Sequence, residues 1–444
     1  MMTAARTRLS GLYGACLGMA MTATLVPASP ALAQPAHPAH SARTASVGDG
    51  CSAADAPKTV EEQRLSSEVP KKILARSGFD RFATQLGSSL CGVTRLADAE
   101  RLVTDHGRAL WKAAVDRAQG RGPDGGDLPR GDDRPLYWAR LGMTKALRAW
   151  TPGFPLGDAD RAALLGRLER ASRGQDSISF PGGTGIKRVV VTGFDPFQLD
   201  FEIRRGNPAG ANALALDGTT VNTAAGPARI ETAMFPVRWA DFTAGTVETT
   251  LLPHLTAGPA KADLLVTVSQ GRPGQFDLER WNGAWRGGSP DNLWVGETGT
   301  IPVPPNVPTI VPQPQFVPTT LPYKAILAAG VGPFPVLDRT TVTEIPAGGG
   351  TPVERTDGPT PGSTARAGGG GDYLSNEIAY RATLLRDAVR ARIPAGHVHT
   401  PVLLFGPDNT AEITDPTFER NRREIVDQTR RIVIVAAGAP AEHR

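Results

Sequence analysis

Two patterns of apolar spacing divide the chain. Over residues 51–180 apolar side chains recur at helical intervals, as in 95–103 (RLADAERLV) and 109–115 (ALWKAAV), and the period returns over 137–150 and 158–171. That spacing predicts amphipathic helices. Asp158, behind Gly157, is placed to cap the last of them. A loop rich in Gly, Asp and Pro fills 120–135. No cluster of reactive side chains stands out, so this stretch reads as a small helical accessory domain; a lid over a site elsewhere is one role open to it.

Past Gly174 the texture changes. Apolar runs at 188–193, 230–237, 263–268 and 398–405 predict buried strands, and helical stretches fall between and after them at 209–216, 239–252, 376–392 and 417–435. Strands alternating with helices predict an α/β sandwich on a mostly parallel sheet. In such sheets ligands bind beyond the carboxyl ends of the strands.

Composition changes this picture in three places. The 50 Gly and 39 Pro among 444 residues make up a fifth of the chain, below the roughly 25–30% at which an aperiodic chain is expected to be disordered. They are clustered: eight of the residues in 301–322 are Pro, and glycines fill 348–350 and 368–371. The first cluster reads as an extended loop. The second lacks the Lys-Ser/Thr or GxGxxG register of a phosphate cradle.

Residues 1–33 have the form of a secretory signal peptide: Arg6 and Arg8, an uncharged apolar core over 12–26, and Ala31-Leu32-Ala33 as the cleavage site. The expected product is secreted and begins with a Pro/Ala/His-rich tether, 34–50, whose His37 and His40 are weak metal candidates. Without the leader the charge falls from 48−44 = +4 to 46−44 = +2. No basic patch with interleaved aromatics remains, so no nucleic-acid partner is expected. No apolar run of about 18 residues follows the leader, so no membrane partner is expected either. Cys51 and Cys91 form an even pair in an oxidising compartment, which predicts one disulfide.

Three positions carry side chains that can act together in hydrolysis. Glu279 follows the strand at 263–268. Ser375 sits where the glycine run gives way to a helix. His399 belongs to the His397-Val398-His399 pair opening the last strand. A hydroxyl nucleophile needs a base to take its proton and an acid to orient the imidazolium. Blander uses are open at each position. Ser375 suits a helix N-cap, Glu279-Arg280 suits an ion pair, and Phe194 and Phe197 suit a core. His397 and His399 share a strand face, as a metal pair would, but lack a third ligand.

Seven short matches then occur in order: Val191-Thr192-Gly193-Phe194-Asp195-Pro196-Phe197 with Asn207-Pro208, Val268-Ser269-Gln270-Gly271, Glu279-Arg280, Pro290-Asp291-Asn292, Leu321-Pro322-Tyr323-Lys324, Tyr373-Leu374-Ser375-Asn376, and His397-Val398-His399-Thr400-Pro401. Together they resemble the pyroglutamyl peptidase I family over about residues 187–437. The resemblance implies a three-layer α/β/α fold and removal of N-terminal pyroglutamate from peptides by a Cys-His-Glu triad. It puts the acid at Glu279, the base at His399 and the nucleophile at Ser375, with Phe194, Phe197, Tyr373 and Leu374 as pocket walls and Gln270 as a polar contact to the lactam. It implies no cofactor and no metal. The 301–322 and 348–371 segments become insertions between acid and nucleophile.

The departures are Ser375 in place of Cys, Glu377 where some members have His, and Gly288-Ser289 before Pro290, with Arg286 nearby. Two readings of function follow. One is a secreted hydrolase of N-terminal pyroglutamyl or related cyclic residues with a Ser/His/Glu triad. The alternative is an inactive pseudoenzyme that binds such N-termini.

Overall fold

A computed structural model describes residues 51–122, 125–182 and 185–440. The expected leader, the tether and its His37 and His40 lie outside the described residues. Those described from 51 onward belong to one compact unit.

The protein is α/β with a seven-stranded sheet: β1 Lys187–Phe194, β2 Thr219–Thr223, β3 Gly226–Phe235, β4 Leu264–Gln270, β5 Phe276–Glu279, β6 Val336–Arg339 and β7 Ala395–Thr400. Their order is β6-β5-β7-β4-β1-β3-β2. The central run β7-β4-β1-β3 is parallel, β5 is antiparallel to β7, and β2 is antiparallel to β3. Side chains alternate across a strand, so the Val189-Val190-Val191 run serves both faces. Val189 and Val191 pack with the Pro208–Leu216 and Pro416–Gly438 helices, and Val190 packs with the Thr246–Leu255 and Leu374–Ala388 helices. Helices on both faces make three layers.

Several boundaries differ from the sequence expectation. The last strand is Ala395–Thr400, not 398–405. Pro401 has no N–H to give to the ladder, and Leu403 and Phe405 pack instead as irregular chain, the Phe405 ring stacked on Phe418 at 4.4 Å. His399 is therefore near the carboxyl end of its strand rather than at its opening. Glu279 lies on a strand of its own, antiparallel to β7. The helix expected over 239–252 is two, Trp239–Thr243 and Thr246–Leu255. Gly157, not Asp158, is the N-cap of the Asp158–Ala171 helix. The 348–371 insertion carries strands Val353–Arg355 and Thr364–Ala367, which flank Val342–Ile345 in a small antiparallel sheet. Within 301–322, Phe316–Pro318 pairs with Trp281–Gly283.

The helical region comprises Glu68–Ser77, Arg81–Cys91, Leu96–Ala118, Arg134–Ala149 and Asp158–Ala171. The first two lie within the stretch expected to be helical, without bounds of their own in the sequence pattern. Cys51 and Cys91 are joined, with Cα atoms 5.5 Å apart. The core of this region continues into the α/β body through Ala213, Leu214 and Met234. Among the described residues no helix is long and apolar enough to cross a membrane.

Candidate active site

The site forms where β1, β4 and β7 end beneath the first turn of the Leu374–Ala388 helix. His399 Nδ1 and Glu279 Oε1 are 2.7 Å apart, both residues buried. Glu279 faces His397 directly in the ladder, so its carboxylate reaches His399 along the diagonal of the antiparallel pair. A carboxylate can only accept, so Nδ1 carries the proton and Nε2 is left as the basic nitrogen. Glu279 Oε2 has no hydrogen-bond partner among the described residues.

The glycine run covers this pair. A Cβ on Gly369 would overlap Glu279 Oε2, and one on Gly370 would come within 2.9 Å of His399 Cε1. A Cβ on Gly368 would overlap Asn376 Oδ1. These three are glycine for want of room, while Gly371, at φ +87°, needs a backbone that other residues rarely adopt. Asn376 ties its helix to the Trp281–Gly283 strand, accepting from Gly283 N at 2.9 Å and donating to Gly283 O at 2.8 Å, and the run is tied to the same strand by Gly369 N, which donates to Trp281 O at 2.7 Å.

Ser375 is half-buried and is the second residue of its helix. The N-cap is Tyr373, so Ser375 does not cap. Its hydroxyl donates to Gly370 O at 3.3 Å and makes no hydrogen bond to His399. The acid and base are thus engaged, and the hydroxyl stands across Gly370 from them. The bond it would need is one that often tightens only when substrate binds.

Beside Ser375 is a small cavity of about 30 Å³, lined by Phe194, Phe197, Asn207, Val237, Ser269, Gln270, Tyr373, Leu374 and Ser375. All five residues proposed from sequence as substrate contacts line it. Phe194 is core and wall at once, stacked on Phe242 at 6.1 Å. Tyr373 is wedged between Phe197 and Trp239, and its hydroxyl donates to Pro290 O at 2.9 Å. Burial raises the Tyr373 pKa, so it remains a phenol.

The sequence gives no sign of Val237 as a lining residue, while Ser269 and Asn207 stand inside the matched motifs without a role assigned to them. Asn207 is spent on the backbone: Oδ1 accepts from Ala209 N and Nδ2 donates to Asp195 O. Glu377 and Arg286 are turned away into a two-point ion pair at 2.7 and 2.6 Å, shared with Arg381. Arg280 pairs with Asp338, not Glu279, and stacks on Tyr323. His397 bonds Thr267 and Ser269 through its two ring nitrogens. No group of three or more His, Cys, Asp or Glu suited to a metal occurs among the described residues.

Two family models match in succession. One describes the PA0049 N-terminal domain and covers residues 39–169; the other describes the PA0049 C-terminal domain and covers 188–319 and 334–404. The uncharacterized protein PA0049 of Pseudomonas aeruginosa is 36% identical, spanning 87% of this chain and 90% of its own. Solved structures that resemble it include a mutant pyrrolidone carboxyl peptidase from Pyrococcus furiosus, 22% identical over 56% of this chain and 97% of that one, TM-score 0.36. Pyroglutamyl peptidase I from Bacillus amyloliquefaciens is 20% identical over 57% and 96%, TM-score 0.35. At those identities and scores the likeness speaks to neither substrate nor chemistry.

Proposed function

The chain belongs to the PA0049 family, and we propose that it is a hydrolase that removes an N-terminal pyroglutamyl or related cyclic residue from peptides, acting outside the cell through Ser375, His399 and Glu279. The observation that carries this reading is the buried 2.7 Å contact between His399 Nδ1 and Glu279 Oε1 next to a small apolar cavity whose rim holds Ser375. Glu279 holds the imidazole so that Nε2 faces outward as base. Ser375 Oγ attacks the acyl carbon as its proton passes to Nε2. The imidazolium, held by Glu279, then returns that proton to the leaving amine, and water repeats the cycle on the acyl-enzyme. First-turn N–H groups of a helix have no acceptor within the helix. With no side chain capping them, those beside Ser375 are suited to the oxyanion. The chemistry calls for no metal or cofactor. Aromatic walls suit a small, mostly apolar ring with a few polar contacts.

The test is release of a fluorogenic amine from a pyroglutamyl amide by the purified protein. Turnover is expected in the wild type and none in Ser375→Ala; absence of turnover in the wild type, or equal turnover in both, would end the reading. A second reading, a binder without turnover, is favoured by one observation: the Ser375 hydroxyl is committed to Gly370 O. It predicts that the wild type binds a pyroglutamyl dipeptide in calorimetry without cleaving it, and that Ser375→Cys creates cleavage.

A further inference from the structure

Below the cavity a chain of hydroxyls and one imidazole crosses from β4 to β7. Thr267 Oγ1 is 3.1 Å from Gly396 O and 2.8 Å from His397 Nδ1, and His397 Nε2 is 2.7 Å from Ser269 Oγ. All three side chains are at least nine-tenths buried. One set of donors satisfies all three contacts. Gly396 O can only accept, so the Thr267 hydroxyl proton goes to it. Thr267 Oγ1 then accepts from Nδ1–H, and a neutral ring offers Nε2 as acceptor.

The ring has no carboxylate partner, although Glu279 stands opposite it in the ladder. Glu279 is engaged with His399, and Asp277 with Gln275 and Arg272. The remaining neighbour is the His399 ring, edge-on at 4.7 Å. Burial and that neighbour push the His397 pKa well down. It follows that Ser269 spends its only proton on Nε2. What Ser269 turns toward the cavity is lone pairs alone.

We propose that Ser269 is a specificity-determining residue, an acceptor for a ring N–H of the bound group, and that His397 is a positioning residue that sets this polarity through the Thr267–His397–Ser269 chain. The proposal rests on the reading of the cavity as the site of a cyclic N-terminal residue. A lactam has the required N–H; the matching lactone, with oxygen in its place, sets two acceptors against each other. The polar group of Asn207 in the same wall is already used, and the Gln270 amide, also in the lining, can accept from a lactam or donate to a lactone, so Ser269 bears the discrimination.

Two experiments separate the relay from the functional reading. In histidine-labelled full-length protein, ¹⁵N NMR is expected to show His397 as the neutral Nδ1–H form. An Nε2–H form, or a doubly protonated ring at neutral pH, overturns the relay whatever the protein binds. In calorimetry, 2-pyrrolidone, a lactam with no amide outside the ring to cleave, is expected to bind wild type roughly tenfold more tightly than the matching lactone, γ-butyrolactone. Ser269→Ala should erase most of that preference by weakening the lactam alone. His397→Phe, which leaves the Ser269 proton free, should narrow the gap by letting Ser269 donate to the lactone. Equal binding of the two rings by wild type overturns the role of Ser269 and leaves the hydrolase reading standing. Binding of neither ring removes both, while the NMR result still decides the relay.

Discussion

Two carboxylates lie at strand ends of the same sheet, both almost wholly buried, and they could hardly be used more differently. Asp195, just past the end of β1, has both oxygens saturated: Arg140 Nη2 donates at 2.5 Å to one, and Arg173 Nε and Nη2 donate at 3.0 and 2.7 Å to the other. Both arginines come from the helical region. Glu279 has a single partner, His399, and one oxygen with none. Burial therefore does not separate the two acids; what separates them is that Glu279 keeps hydrogen-bonding capacity unspent and Asp195 does not. Asp195 also sits between the pocket residues Phe194 and Phe197, so the helical region grips the back of the pocket. Asn292 strengthens the grip by donating to Pro196 O and to Glu61, while Arg64 donates to Asn292 O. That arrangement is a buttress.

The comparison breaks most easily at the two acids. Glu279→Gln keeps the shape but cannot hold the Nδ1–H tautomer, so kcat on a pyroglutamyl amide is expected to fall by about 10⁴-fold with little change in the denaturation midpoint. Asp195→Asn should do the reverse. Arg140 and Arg173 would keep Glu169 as a counter-charge but lose the other, which is expected to cost about 1–3 kcal/mol in urea unfolding. Activity per folded molecule should survive better than in Glu279→Gln. If the two variants lose stability and activity in the same proportion, the division of labour is wrong.

How much of this could be read from the sequence follows from what each residue touches. Glu279, Ser375 and His399 were legible because each is a reactive type inside an ordered motif. The valine run of β1 was legible because burial on both faces leaves an uninterrupted apolar string. Asp195 was not, because its partners, Arg140 and Arg173, are distant in sequence and their pairing leaves no periodic trace. The Thr267–His397–Ser269 chain was hidden for the same reason: only the β4–β7 register brings its members together. The strand at 398–405 was overdrawn because Val402 to Phe405 is apolar, and apolarity alone cannot tell a ladder from packed irregular chain behind a proline. The glycine run was located correctly, but spacing could not say that three of its members are there for room and one for its backbone angle.

A subtler way to sharpen the contrast is to move the Glu279 carboxylate without changing it. Gly369 has an ordinary backbone angle, but its added Cβ would overlap the unpartnered Oε2. In Gly369→Ala the carboxylate must shift, and misplacement on the ångström scale is expected to cost about 10²-fold in kcat. Crowding should also cost about 1–3 kcal/mol in stability. Gly348→Ala, in the same insertion with open space around it, should lie within about 0.5 kcal/mol of wild type and keep full activity.

The smallest effect is carried by His397, and its sign is fixed by linkage. Its pKa in the folded protein lies well below the ordinary 6.5, chiefly through burial. Below pH 6.5 the unfolded chain therefore binds a proton that the folded chain refuses, and stability falls as pH falls, by up to about 1.4 kcal/mol per pH unit from this group. Above that pH the contribution is complete and flat. Other groups titrate in the same range, so the measurement is a difference: urea unfolding of wild type and His397→Gln at pH 7.5, 6.5 and 5.5. The variant is expected to lose about one proton's worth of the slope between pH 6.5 and 5.5 and none above. Parallel curves for the two proteins would mean that His397 takes up its proton while folded. Its Nε2 could then no longer accept the Ser269 proton, and the polarity assigned to the cavity wall would reverse.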